Sequence, residues 1–472
     1  MSAKVIYAIA LAFLATASAV FGQEKSASAA SRPNIVLFIA DDMTFEDCGP
    51  YGATDVRTPN LDKLATESIK FERAFAASPT CTPSRSALYS GLYPFRNGAH
   101  ANHSLVKDGL RTLPHYMKEL GYRVVLAGKS HIGPRPEFPF EYLENGNIMP
   151  PGKKELLWTD LNTAAIDAML QSHDKKQPLC LIVAAHSPHV FWLPNESYNP
   201  KTIHLPTYFV DTTKTRRERC NYYTDVTWMD KQVGEVRDSL AKHGYADNTL
   251  FMFTADQGAQ WPFAKWNLYD AGIHTPLLIH WPGKIDKAKT TSAMVSLVDL
   301  LPTMIEAAGG SAPKDIDGQS ILPVLLGKTD HARNEIYASH TGDKEMNHAP
   351  MRCIRTDRYK YIINLAPQVE YTTHISKTGG PDGYWQSWVN RAKTDPHAAA
   401  LVNRYEHRPA EELYDLQADP YELKNLATDP SHAKELGELR EKVKAWRVQQ
   451  GEDLNTVPMP EDARSGPLKY AG

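Results

Sequence analysis

Four stretches of the chain are apolar without alternation and stop abruptly at residues that carry chemistry: 34–40, 123–127, 178–185 and 249–254. A strand with one wet face alternates apolar and polar side chains, whereas a strand covered on both faces does not. The runs therefore predict an α/β architecture whose mostly parallel central sheet is flanked by helices. Beyond their ends stand Asp41 and Asp42, then Lys129, Ser130 and His131, then His186 and His189, then Asp256 and Gln257. Ligands of open α/β sheets bind outside the carboxyl ends of the strands, so these four endings are expected to share one edge and one site. Helical patterns fall between the runs. Pro59 after Thr58 as N-cap opens one with Leu61, Leu64, Ala65 and Ile69 on a face, a second covers 113–120 and closes at Gly121, and a third covers about 217–242.

At 472 residues the chain is too long for one small core, and two domains are expected. The stretch 305–314 is rich in Gly, Ala and Pro, and the pattern changes after Gly327. We expect a catalytic domain over 33–328 and a smaller α+β C-terminal subdomain over 329–450, with an antiparallel sheet (351–354, 359–363 and the segment 412–426) and a helix over 431–448 capped by Ser431. A loosely held tail is expected over 451–472. The N-terminus reads as a signal peptide over 1–22, with Lys4, an apolar run over 5–15 and small residues at Ala17, Ala19 and Gly22, followed by a polar linker over 23–32. That apolar run is shorter than the roughly 20 residues a membrane span needs, so the expectation is a secreted or periplasmic protein with no stable membrane insertion. Five scattered cysteines make a poor disulfide framework. A formal net charge of -3 without a Lys/Arg block excludes a basic nucleic-acid binder. An anionic substrate would need a local cationic pocket.

Cys81-Thr82-Pro83-Ser84-Arg85 is the sharpest local signal. A residue just ahead of a helix N-terminus faces free N–H groups and the positive end of the dipole, which suits an anion. Arg85 lies one turn in. Asp41 and Asp42 are adjacent carboxylates at a buried strand end, where they repel each other, and a divalent cation is the natural explanation. Asp256 and Gln257 add a second oxygen-bearing pair. An all-oxygen set points to calcium or magnesium instead of zinc.

The pentapeptide matches the Cys-x-Pro-x-Arg signature of the formylglycine-dependent sulfatases, which the chain resembles from Pro33 through residues 412–416. Gly128-Lys129-Ser130-His131-Ile132-Gly133, His186-Ser187-Pro188-His189, Asp256-Gln257-Gly258 and Lys265 ahead of Trp266-Asn267-Leu268-Tyr269 resemble further motifs of that family. The resemblance implies an alkaline-phosphatase-like large domain with a smaller C-terminal one. It also implies one calcium ion held by Asp41, Asp42, Asp256, Gln257 and position 81, and a maturation enzyme that oxidises Cys81 to formylglycine. In the implied reaction a hydroxyl of hydrated formylglycine attacks sulfur, His189 protonates the leaving group, and His131 takes a proton from the second hydroxyl so that the aldehyde reforms and sulfate departs. Lys129, Arg85 and Lys265 would clamp the anion with the calcium.

Within the family the chain looks most like the sulfamidases, which remove N-sulfate from glucosamine in heparin and heparan sulfate. The stretches 185–189, 228–234, 267–269, 350–352 and 425–430 carry that likeness. Lys265 and Gln257 depart from it, since sulfamidases carry Arg and Asn there, so O-sulfated sugars stay open as substrates. His103, His274, His340, Asp343 and Glu345 are candidate sugar-binding residues. Two other readings remain: a phosphatase or phosphonate hydrolase of the same superfamily, and a sulfated-glycan binding protein without catalysis.

Overall fold

In the computed structural model the unalternated runs are explained by two cores. In β1 (Asn34–Ala40), Ile35, Leu37 and Ile39 enter one hydrophobic cluster while Val36, Phe38 and Ala40 enter the other, and all six are fully buried. The structure describes residues 32–149, 159–195, 197–285, 288–344 and 346–466. The expected signal peptide, the linker up to residue 31 and Glu345 lie outside the described residues, as does the tail beyond 466.

After β1 come β2 (Ile69–Phe75), β3 (Arg123–Gly128), β4 (Glu141–Tyr142), the ribbon β5 (Asn147–Ile148) with β6 (Asp160–Leu161), β7 (Leu179–Ala184), β8 (Thr249–Ala255), β9 (His274–His280), β10 (Lys289–Thr291) and β11 (Val295–Ser296). The main sheet runs β10-β2-β9-β8-β1-β7-β3-β4, with β11 also paired to β2. From β8 through β4 every pairing is parallel, as the apolar runs required. Strand β9 departs, lying antiparallel between β8 and β2. Register sets the site: Ala40 pairs with Ala255 and Gly128 with Ala184, so Asp41, Asp256, Lys129 and the turn after β7 emerge together.

A second sheet follows, β12 (Glu335–His340), β13 (Met351–Thr356), β14 (Tyr359–Asn364) and β15 (Glu411–Asp415), antiparallel throughout. The helix Ala433–Gln449 covers one face, with Leu436, Leu439 and Val443 on Ile354, Tyr361 and Leu413. From the other face Ile336, Ala338, Cys353 and Ile362 join the same core as Val36 and Phe38. The two sheets thus share apolar burial, and the described residues from Pro33 onward form one unit. Among the described residues no helix is long and apolar enough to cross a membrane.

Several local expectations are corrected. The first helix ends at Ala65, and Ile69 opens β2. Thr58 is the N-cap residue ahead of Pro59, as expected, but its side chain does not make the capping bond: its Oγ1 accepts from Gly49 N (2.8 Å), and the carboxylate of Asp230 takes the N–H groups of Asn60 (3.1 Å) and Leu61 (2.8 Å). A cap supplied from 170 residues away satisfies the same orphan donors without a local signature. Asp429, not Ser431, starts the last helical stretch. Residues 451–466 are no loose tail. Glu452 is buried between Arg352 (2.9 Å) and Arg447 (2.9 Å), and Arg464 O accepts from Leu105 N (2.8 Å). A composition rich in Pro, Asp, Glu and Gly signals the lack of regular structure, but it does not reveal a carboxylate held by two arginines.

Candidate active site

The helix Cys81–Ser90 is buried along its whole length, and Cys81 stands at its first turn beneath the carboxyl edge of the main sheet. Its Sγ lies 3.5 Å from Asp41 Oδ1, 3.9 Å from Asp42 Oδ1, 3.6 Å from Lys129 Nζ and 3.1 Å from Gln257 Nε2. Arg85, one turn on, donates from Nε to Asp256 Oδ2 (2.8 Å) and from Nη2 to Asp41 Oδ1 (3.4 Å). Lys129 pairs with Asp41, and Lys265 Nζ donates to Asp42 Oδ2 at 2.6 Å. His189 Nε2 approaches the same Oδ2 at 3.6 Å. Three buried carboxylates therefore interleave with three buried cations around one thiol.

Burial governs how these groups ionise. It pushes the Cys81 thiol up to about 12 despite the pull of Lys129 and Lys265, so at neutral pH the side chain is a protonated thiol and a poor nucleophile. Burial pushes Asp256 up to about 7 against Arg85, with Asp41 and Asp42 adding to the rise, and it also raises Asp42 against Lys265. Asp41 goes the other way, because Lys129, His189, Arg85 and Lys265 together outweigh its desolvation. Burial and the neighbouring lysines hold His131 and His189 well below the usual imidazole range, so both rings rest neutral.

A divalent cation fits this donor set. Oxygens of Asp41, Asp42 and Asp256 lie within 4.8 Å of one another, close enough for one ion. Gln257 gives the sharper indication: its Nε2 faces Asp42 Oδ1 at 2.5 Å, while its buried Oε1 has no partner. Turning the amide over would present that oxygen to the carboxylate cluster, as a cation there requires.

The centre opens into a cavity of about 680 Å³ lined by His103, His131, His189, Phe191, Gln260 and Trp266 from the large sheet's loops. Asp343, His374 and Asp382 from the C-terminal half complete the wall. The structure brings together Asp41, Asp42, Cys81, Arg85, Lys129, His131, His189, Asp256, Gln257 and Lys265, and it adds His103 and Asp343 at the cavity wall. It does not bring His274 or His340 there. His274 stacks on Phe45 and Phe75 beside a smaller cavity of about 210 Å³, and His340 is fully enclosed at the end of β12.

Some residues that hold the site escaped sequence reasoning. Asp160 fixes the His186–His189 turn, accepting from His186 N (3.0 Å), Ser187 Oγ and Trp228 Nε1 (3.1 Å). Arg408 reaches from the C-terminal half to Asn267 and Tyr269, and Tyr371 Oη donates to Trp266 O (2.8 Å), pinning the loop that carries Lys265. Asn102 Oδ1 accepts from Thr82 N (3.2 Å) at the head of the Cys81 helix. Lone polar residues in irregular segments leave no periodic signal.

The sulfatase family description matches residues 33–311, and that of the N-sulphoglucosamine sulphohydrolase C-terminal region matches 258–375. An ulvan-active sulfatase of Formosa agariphila is 34% identical over 446 residues, which cover 93% of this chain and 84% of that protein. Human N-sulphoglucosamine sulphohydrolase is 30% identical over 464 residues, covering 88% of this chain and 90% of its own. A protein solved with its substrate D-glucosamine-2-N,6-O-disulfate superposes with TM-score 0.67 at 20% identity, over 90% of this chain and 99% of that one. The phosphonate monoester hydrolase of Agrobacterium radiobacter superposes with TM-score 0.69 at 19% identity, over 89% and 96%. The fold is thus the alkaline-phosphatase-like α/β type with a second antiparallel sheet. Within it the chain belongs to the sulfatase family, as a hydrolase of sulfuric esters or sulfamates.

Proposed function

We propose that the chain is an exported, calcium-dependent glycan sulfatase whose nucleophile is formylglycine made from Cys81 by a dedicated maturation enzyme. The observation that carries this is the unionised thiol at a helix start, enclosed by three carboxylates and three cations. A bare thiol there would be the wrong nucleophile. Calcium, held by Asp41, Asp42, Asp256 and Gln257, would supply Lewis acidity and fixed positive charge, and hydrated formylglycine would supply two hydroxyls.

The chain's own side chains account for the rest. Three carboxylates cancel three cations, so a bound divalent ion leaves the pocket net positive and matched to a sulfate group. Arg85, Lys129 and Lys265 surround the sulfate oxygens and stabilise charge that grows on them in the transition state. His189 Nδ1 donates to Val190 O at 2.6 Å, which leaves Nε2 as the atom presented to the cleft. Negative charge on a bound sulfate raises its affinity for a proton, which it passes to the departing oxygen or nitrogen. Neutral His131 accepts the proton released when sulfate is expelled. Formation of the cavity from both halves of the chain limits water around the reacting group. We assign the catalytic domain to 33–328 and the C-terminal subdomain to 329–450, and export to the signal peptide over 1–22.

The substrate we infer is a sulfated carbohydrate of the glycosaminoglycan or another type, carrying N-sulfate on glucosamine or O-sulfate. The names of the human and Formosa relatives support a sulfated saccharide, and both kinds of sulfate occur on the ligand of the superposed structure. Sulfate release from a panel of N-, 2-O-, 3-O- and 6-O-sulfated saccharides, read by ion chromatography, tests this, with phosphate and phosphonate monoesters alongside. Release of sulfate from at least one saccharide is expected. Turnover of phosphonates with no sulfate release would replace this reading with the hydrolase alternative.

Metal binding has its own expected result. With calcium at 100 times its Kd the metal-stripped protein gains about 2.7 kcal/mol of stability by mass action. Differential scanning fluorimetry reads this as a rise in Tm that EGTA reverses. An unchanged Tm with both calcium and magnesium would remove the ion from the mechanism.

A further inference from the structure

His103 and Asp343, expected to touch sugar, line the cavity and also stand in series with His131. His131 Nε2 lies 2.9 Å from His103 Nδ1, and His103 Nε2 lies 3.3 Å from Asp343 Oδ1. Asp343 is 3% exposed, and its other oxygen already accepts from Asn102 Nδ2 (3.0 Å) and Trp266 Nε1 (2.9 Å). Little of that carboxylate remains for a ligand. Asn102 Oδ1 faces the Thr82 N–H, which fixes the amide so that its Nδ2 faces Asp343, and that Nδ2 also lies 3.2 Å from His103 Nε2.

We propose that Asp343 and His103 are positioning residues that fix the tautomer and ring orientation of His131. The inference rests on the sulfatase reading, in which His131 is the proton acceptor. A carboxylate only accepts, so pairing with Asp343 Oδ1 places hydrogen on His103 Nε2, while the Asn102 amide donates to the other oxygen of Asp343. With its hydrogen on Nε2 alone, His103 accepts at Nδ1, which makes His131 Nε2 the donor between the rings. His131 is thereby held with its lone pair on Nδ1, the form that takes up a proton.

Backbone conformation supports this independently. His131 (φ 49°), His103 (φ 62°), Trp266 (φ 66°) and Lys344 beside Asp343 (φ 50°) all adopt left-handed conformations rare for residues with a Cβ. Such strain persists where the surroundings demand a particular geometry. The surroundings here include the C-terminal stretch. Asn102 N donates to Gly342 O (3.0 Å), a Cβ on Gly342 would fall 2.2 Å from Pro460 Cγ, and Ser465 bridges to Ser104. Residues 451–466 thus brace both loops that present the pair, so the end of the chain helps to hold a base that follows β3.

The test is Asp343→Asn, which keeps shape but lets an amide N–H face His103 and so permits the opposite tautomer. With whichever sulfated substrate the wild type hydrolyses, kcat should fall about 10- to 100-fold while KM stays within about twofold. In a His131→Gln background the same substitution should add less than about twofold, because it acts only through His131. Should Asp343→Asn fail to fold, His103→Gln is expected to give the same split and the same non-additivity. Nitrogen-15 spectra of histidine-labelled protein with unconverted Cys81 supply a readout free of turnover. His131, assigned by its loss in His131→Gln, should show hydrogen on Nε2 in the wild type and a mixture in Asp343→Asn. A raised KM with unchanged kcat, an additive double variant, or an unchanged nitrogen pattern each overturns the proposal. A wild type that releases no sulfate from any substrate defeats the sulfatase reading instead, while the spectra still decide this one.

Discussion

Cys81→Ala is expected to lose sulfate release by at least about 10³-fold, the scale on which removing a nucleophile acts when the rest of the machinery stays in place. The fold should survive. Cys81 is a small buried side chain at the first turn of a helix, and losing one sulfur there costs on the order of 1 kcal/mol. Cys81→Ser discriminates more finely. Serine keeps one hydroxyl over the helix start but lacks the second, so sulfate transferred to it has no internal route off. We expect turnover to collapse as in the alanine variant, with intact mass showing one added SO₃ group after incubation with substrate. In active wild-type protein the peptide containing position 81 should carry an aldehyde in place of the thiol. More than a few per cent of wild-type kcat/KM in Cys81→Ala, or an intact thiol in fully active enzyme, would dismiss position 81 as the nucleophile.

The parts of this fold that obey a period were readable in advance. The runs that became β1, β3, β7 and β8 lack alternation because each alternate residue has its own core, and the helix Thr213–Lys242 carried its pattern for thirty residues. Strand β9 was missed, since an antiparallel member of a buried sheet has the same composition as a parallel one. The helices Tyr384–Ala392 and Pro396–Glu406 were missed because their buried faces are built from Trp385, Trp388 and Tyr405, rings that favour strands by propensity.

The site divides in the same way. Asp41, Lys129, His189 and Asp256 end apolar runs, so the sheet's topology delivers them to one edge and sequence reasoning can follow. Asp343 and Arg408 arrive from loops and Asp160 from the short strand β6, and only the packed structure determines what they face. His274 illustrates the converse error. Although it sits beside motif residues in sequence, it opens β9, whose opposite direction carries it to the ring of Phe45 and another cavity.

Arg85 shows how much of the site's chemistry is also stability. Its side chain has no exposure, and it holds Asp256 at 2.8 Å and Asp41 at 3.4 Å. Replacing it by methionine leaves two buried carboxylates short of a partner, which costs about 3–5 kcal/mol where the charge cannot be relieved. Relief comes by protonation, which gives the effect a sign with pH. Asp256 is already raised to about 7, so the folded state binds a proton that the unfolded chain, with an ordinary carboxylate, has released. Stability from this group is therefore present at low pH and is lost as pH rises towards 7. Arg85→Met raises that carboxyl further, so below pH 7 both proteins carry it protonated and their difference levels off. Above pH 7 only the wild type has finished losing this contribution, and the gap widens by up to about 1.4 kcal/mol per unit. Urea unfolding in EGTA at pH 6, 7, 8 and 9 measures it. Arg85→Lys, which keeps the charge but loses the fork of donors, should fall between the two. Sulfate release should drop about 10²- to 10³-fold in Arg85→Met even at pH 6, because on the proposed reading Arg85 is one of the cations that stabilise the reacting oxygens. Equal unfolding midpoints for wild type and Arg85→Met across the range would mean that Asp256 and Asp41 do not depend on Arg85, and the electrostatic account of the site would fall with them.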